Sequence, residues 1–104
     1  MAAKRSGIVR VNKRANSYAV IDSFFLSDER LSWKAKGLLA YLLSKPDNWR
    51  VYVSDLVKQS RDGRDSVYST LRELEAAGYI ERRRIKDEKG RIKGMETVVY
   101  ERPL

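Results

Sequence analysis

The sequence predicts an α+β domain: a short N-terminal β segment, three helices, then a C-terminal β-hairpin. Three observations predict it. Apolar residues recur at helical spacing in residues 32–45 and 64–77, with a shorter helical stretch between them. Two β-like runs, 79–86 and 92–101, flank the turn sequence Asp87-Glu88-Lys89-Gly90. The length, 104 residues, suits one domain.

Each element has its own local reason. Residues 8–11 and 18–21 are short β-like runs separated by polar residues 12–17. Ser32 is a good N-cap for the first helix, because its hydroxyl can accept from an orphan amide of the first turn. Ala35, Leu38, Leu39, Leu42 and Leu43 follow on one face. Pro46 stops this helix, since the residue before proline is pushed out of the α region. Trp49, Val51 and Val53 alternate with polar residues, as in a short strand. Ser54 then caps a short helix, 54–60, with Leu56 and Val57 pointing inward. Ser60-Arg61-Asp62-Gly63 is a turn. In the third helix Val67, Leu71 and Leu74 share one face and belong to the core, and Gly78 sits where a left-handed residue ends a helix.

Composition narrows the function. Lys and Arg total 22 against 14 Asp and Glu, a net charge of +8, which calls for a polyanionic partner. The excess lies at the two ends of the chain. Residues 1–17 hold Lys4, Arg5, Arg10, Lys13 and Arg14 without an acid, and form a basic arm ahead of a domain spanning 18–104. Cys is absent, which excludes disulfides, thiol nucleophiles and thiolate metal sites. His is absent too, which removes the usual general base and the commonest metal ligand. No phosphate-cradling Gly-rich loop is present, so neither a catalytic site, a metal nor a cofactor is expected. No apolar run approaches the ~20 residues of a membrane span. These features lead us to expect a non-enzymatic, cytoplasmic, nucleoid-associated protein without a membrane partner.

Two helices joined by a four-residue turn make a helix-turn-helix, and a hairpin placed directly after them is a wing. The predicted architecture is therefore a winged helix-turn-helix. A helix about 10–12 Å across fits the major groove, and the cations of a wing can reach adjacent phosphates.

Residues 64–82, RDSVYSTLRELEAAGYIER, resemble the recognition helix and following strand of bacterial winged-helix regulators. The stretch 31–44, LSWKAKGLLAYLLS, followed by Trp49-Arg50-Val51-Tyr52, is similar to the N-terminal domain of phage and plasmid replication proteins of Gram-positive bacteria, the replisome-organiser and DnaD-like initiators. This second likeness runs from about Tyr18 to Tyr100. It implies a domain that binds origin DNA, with replication proteins engaged through a further domain. The chain ends just after the hairpin, at Pro103 and Leu104, so it is either a fragment or a lone DNA-binding module.

The candidate DNA-binding residues follow. In the regulators that residues 64–82 resemble, the positions of Arg64, Ser66 and Tyr68 face the groove. Arg64 could grip a guanine edge, touch phosphate alone, or pair with an acidic neighbour. Tyr68 could meet a phosphate or a thymine methyl, or pack on the first helix. Ser69 and Arg72 lie off the apolar stripe as well. Asp65 suits the helix start better than it suits DNA. Lys58 and Arg61 are placed as phosphate clamps. Lys86, Lys89, Arg91 and Lys93 surround Gly90 at the wing tip, where they contact DNA or are simply solvated. Arg82, Arg83 and Arg84 are consecutive, so a strand lets at most two of them face DNA together. The basic arm could enter a minor groove, and residues 18–21 could pair with a second chain to give a homodimer.

The expected function is thus sequence-specific binding of double-stranded DNA, at a replication origin within a phage or plasmid initiation protein. Control of transcription is the first alternative. A winged-helix module for protein interaction is the second, and would show an apolar exposed patch and no salt-dependent DNA affinity.

Overall fold

The first helix, α1, spans Trp33–Leu43, and Ser32 caps it as expected, accepting a hydrogen bond from the Ala35 amide at 3.1 Å. The computed structural model that shows this describes residues 7–8, 10–11, 18–46 and 52–104. The Ser32 cap is itself held from a distance. Its N–H and hydroxyl donate to the two carboxylate oxygens of Glu73, at 2.7 and 2.8 Å. Glu73 thus supplies from the third helix the reciprocal half of a capping box, and places negative charge at the positive end of α1.

The second helix, α2, is Val53–Gln59, and the third, α3, is Arg64–Ala76. Tyr52, in extended backbone, begins α2, and its carbonyl takes the amides of Asp55 and Leu56 at 2.9 and 3.2 Å. Ser54 therefore lies inside the helix and is not its cap. Val53, expected at the end of a strand, is the first helical residue; Trp49 and Val51 of that expected strand lie outside the described residues. Residues 60–63 form the turn, and Gly63 is the N-cap of α3.

Gly78 ends α3 with φ of +88°, a conformation that L residues rarely adopt. The Tyr79 amide reaches back to the Leu74 carbonyl at 3.0 Å, and the Gly78 amide to Glu75 at 3.0 Å, the two bonds of a Schellman motif. The chain thereby turns straight from α3 into a two-stranded antiparallel hairpin, β1 (Ile80–Lys86) and β2 (Ile92–Val99). At its tip the Asp87 carboxylate accepts from the amides of Lys89 and Arg91, both at 2.9 Å. Gly90, at φ +79°, closes the turn. Ile85 pairs with Gly94 and Lys86 with Ile92, so Lys93 is an extra residue that bulges β2.

The core joins every layer. Phe25, Leu31, Ala35, Leu39, Leu56, Val67, Leu71, Leu74, Tyr79 and Ile80 are buried together, with Leu38, Leu42, Leu43 and Val57 partly buried against them. The expected stripe of α3 is all there. Thr70 is buried beside it, its hydroxyl satisfied by the Ser66 carbonyl at 2.7 Å. Three helices followed by a two-stranded hairpin form the expected winged helix-turn-helix.

The N-terminal β segment needs correction. Residues 18–21 form no strand, nor do the described residues of the 8–11 run. A strand needs a partner edge, and the sheet holds only β1 and β2. Tyr18 and Val20 are exposed, and only Ile21 packs against the core. The chain then enters a 3-10 turn, Phe24–Ser27, that alternation did not predict. Asp22 sets it by accepting the Phe24 amide at 2.8 Å, and the turn delivers Phe25 to the core.

One polar cluster fixes the base of the wing. The Asp28 carboxylate accepts from the Arg30 guanidinium at 2.8 Å and the Tyr79 hydroxyl at 2.7 Å, while Arg30 also donates to the Ala77 carbonyl at the end of α3. Arg30 first, then Tyr79, hold the Asp28 carboxyl well below the usual carboxylate range. Burial, then the Asp28 charge, push the Tyr79 phenol up to about 12. A carboxylate with a depressed pKa stabilises the fold above its ordinary value of 3.8 and loses that contribution as pH falls through and below it. Asp28→Asn is therefore expected to be less stable than wild type near neutral pH, with the gap narrowing in acid. Urea midpoints of both proteins at about pH 7 and about pH 3 check this. An equal gap at the two pH values would remove Asp28 from this role.

Candidate nucleic-acid interface

The exposed face of α3 is polar and presents the candidate residues together. Arg64, Tyr68 and Arg72 recur at i, i+4 and i+8, which stacks them along one side of the helix. With Asp65 they line an open depression. The Arg64 guanidinium lies over the Tyr68 ring, 5.5 Å from its centroid. That contact preorganises a flexible cation without neutralising it. Ser69 is exposed on the same face. Ser66 is half-buried at the far edge, with its carbonyl engaged by Thr70, and belongs less to this group than its neighbours do.

Tyr68 is half-buried, flanking the core stripe and still lining the depression. No side-chain hydrogen bond caps α3, so Asp65 acts on the helix start only through its charge in the first turn. It does not pair with Arg64 or Arg72: among the described residues the ion pairs are Asp28–Arg30, Glu81–Arg83 and Asp22–Arg102. The cations of α3 are left available to an outside anion.

Lys58 lies in the last turn of α2 and Arg61 in the turn, both exposed and beside the start of α3. Lys86, Lys89, Arg91 and Lys93 are exposed around the wing tip. None of these six pairs with a carboxylate. The structure thus forms two groups, one on α3 with the turn before it and one on the wing.

Sequence reasoning left the arginine run on β1 unassigned, and the register resolves it. Ile80 is buried, so the residues two and four further on, Arg82 and Arg84, share its flank of the sheet. Arg83 is on the other flank, paired with Glu81 and donating to the Tyr100 hydroxyl at 3.0 Å. Alternation was visible in the sequence; its phase became readable only once Ile80 was known to be a core residue. Glu73 is the other residue whose part was missed. It holds the α1 cap, and no local pattern links two residues 41 positions apart.

The described residues contain no helix long and apolar enough to cross a membrane, and no group of acidic residues that could hold a metal ion. No curated protein and no solved structure matches the chain. A family of helix-turn-helix domains does match it, over residues 29–80, half of its length. That span runs from the turn before α1 to the first residue of β1, so it takes in all three helices and the depression on α3. The chain belongs to the helix-turn-helix domain family, and DNA is its partner.

Proposed function

We propose that the protein binds double-stranded DNA sequence-specifically, as the origin-binding domain of a phage or plasmid replication initiation protein. In this reading α3 enters the major groove. Arg64 contacts a guanine edge, Tyr68, Ser69 and Arg72 contact neighbouring bases or phosphates, and Ser66 sits at the margin. Lys58, Arg61, Lys86, Lys89, Arg91 and Lys93 bind the backbone on either side. The observation that carries it is the unpaired polar face of α3, on which Arg64 is stacked on Tyr68 and faces an open depression. The origin is favoured over a promoter by the likeness of residues 31–44 and 49–52 to replication initiators.

Selection of bound sites from a random duplex library, scored by fluorescence anisotropy, tests this. A guanine contact by Arg64 is expected to contribute about 1–3 kcal/mol of discrimination at one base pair. Arg64→Ala should therefore flatten the preference at that position and leave the others intact. Uniform weakening across all sequences would reduce Arg64 to a phosphate contact. Failure of the wild-type protein to prefer duplex over single strand would overturn the proposal. Footprinting the selected site on its replicon then separates origin from promoter.

A further inference from the structure

We infer that the wing meets the DNA backbone along its helix-side flank, through the row Arg82, Arg84 and Lys86, and that its opposite flank stays off the DNA. The inference rests on the duplex-binding reading above and says which surface of the wing performs it.

Strand alternation divides the hairpin into two unlike flanks. One starts at Ile80 and its partner Val99, which pack into the core with Leu71 and Leu74 of α3. This flank therefore lies on the same side of the sheet as α3. Beyond the core it continues as Arg82 opposite Thr97, Arg84 opposite Met95 and Lys86 opposite Ile92. All six residues are exposed, three are cations and none is an acid. The other flank carries Glu81, Arg83 and Ile85, opposite Val98, Glu96 and Gly94. Its single cation is held by Glu81 and Tyr100, and faces Glu96 across the ladder.

The electrostatic consequence is one-sided. Arg82, Arg84 and Lys86 pair with no carboxylate among the described residues, so no ion pair need break when they meet phosphate. Two-residue steps on a strand place them about 6.6 Å apart. Duplex DNA carries one charge per ~1.7 Å of axis, so each cation of such a row can find its own phosphate. The acidic flank would repel the same backbone. A duplex seated on α3 approaches the wing from the helix side, where the free cations are.

Salt titration of duplex affinity distinguishes the flanks, because each phosphate contact contributes about −0.9 to the slope of log affinity against log salt. The proteins compared are wild type, Arg82→Gln/Arg84→Gln and Arg83→Gln, on a random-sequence fluorescent duplex and its matching single strand. The double variant should flatten the slope by about 1.8, whereas Arg83→Gln should leave it unchanged. Arg82→Lys/Arg84→Lys should retain the wild-type slope, since phosphate attraction needs the charge and not the guanidinium. Thermal melts of each variant by circular dichroism identify any loss that comes from unfolding. Equal slopes for wild type and the double glutamine variant, or a flattening by Arg83→Gln as large as that of the double variant, would overturn the inference while duplex binding stands. Absence of duplex preference in the wild-type protein would overturn both.

Discussion

Leu74→Ala is expected to lower the unfolding free energy by about 2–5 kcal/mol, the cost of lost apolar burial plus the cavity left behind. Leu74 has no exposed surface, and it sits where α3 meets α1 and the start of the hairpin. Its backbone accepts the Tyr79 amide that turns the chain into β1, so its side chain and its carbonyl serve the same junction. The neighbouring buried side chains, Phe25, Leu39 and Tyr79, are held by backbone on three sides and can collapse only partly into the space. Small domains have about 5–15 kcal/mol of stability in all, so this single truncation removes a large fraction. In a urea titration the midpoint should fall while the slope stays constant, because the surface exposed on unfolding hardly changes. Ser69→Ala, on the exposed face of the same helix, should stay within about 0.5 kcal/mol of wild type. A Leu74→Ala loss below about 1 kcal/mol would mean that α3 is not packed as described.

That helix was legible in the sequence because its signals are local and agree with one another. The 3.6-residue stripe, the turn before it and the glycine after it all point to the same element. The hairpin was legible for the same reason, through its turn residues. The N-terminal strand was misread because alternation between apolar and polar residues says nothing about the presence of a partner edge. Residues 18–21 alternate weakly, and the capping carboxylate of Asp22 bends the following chain into a 3-10 turn instead. Ser54 was misread as a cap because it precedes an apolar pair, whereas Tyr52 already supplies the first helical carbonyl.

Side chains that meet across the fold were beyond sequence reasoning. Glu73 at the α1 cap and Tyr79 on Asp28 join positions 41 and 51 residues apart. Both contacts brace the end of α3 from which the wing departs. The candidate site fared differently, since its residues are adjacent in sequence and need only the helical period to be grouped. What the structure added was which cations are already spent. Arg30, Arg83 and Arg102 each pair with an acid, and the candidate cations of α3 and the wing do not.

Duplex affinity is expected to fall by about a thousandfold when monovalent salt rises from about 50 to about 200 mM, the response of roughly six phosphate contacts. The number follows from the unpaired cations. Lys58 and Arg61 flank the start of α3, Arg82, Arg84 and Lys86 form the row on the wing, and the tip residues Lys89, Arg91 and Lys93 cannot all reach one backbone from around a tight turn. Arg64 is reserved for a base edge. Charge alone predicts less than this: a net +8 spread evenly over the surface would attract DNA without a defined contact number. A linear dependence with a slope near −5 would indicate a docked geometry. A slope shallower than about −2 would leave too few contacts for both α3 and the wing to be seated. Leu74→Ala supplies a further check, because at low temperature and without denaturant its folded fraction should bind with the wild-type slope. Stability and recognition use opposite faces of α3, and the two measurements should move independently.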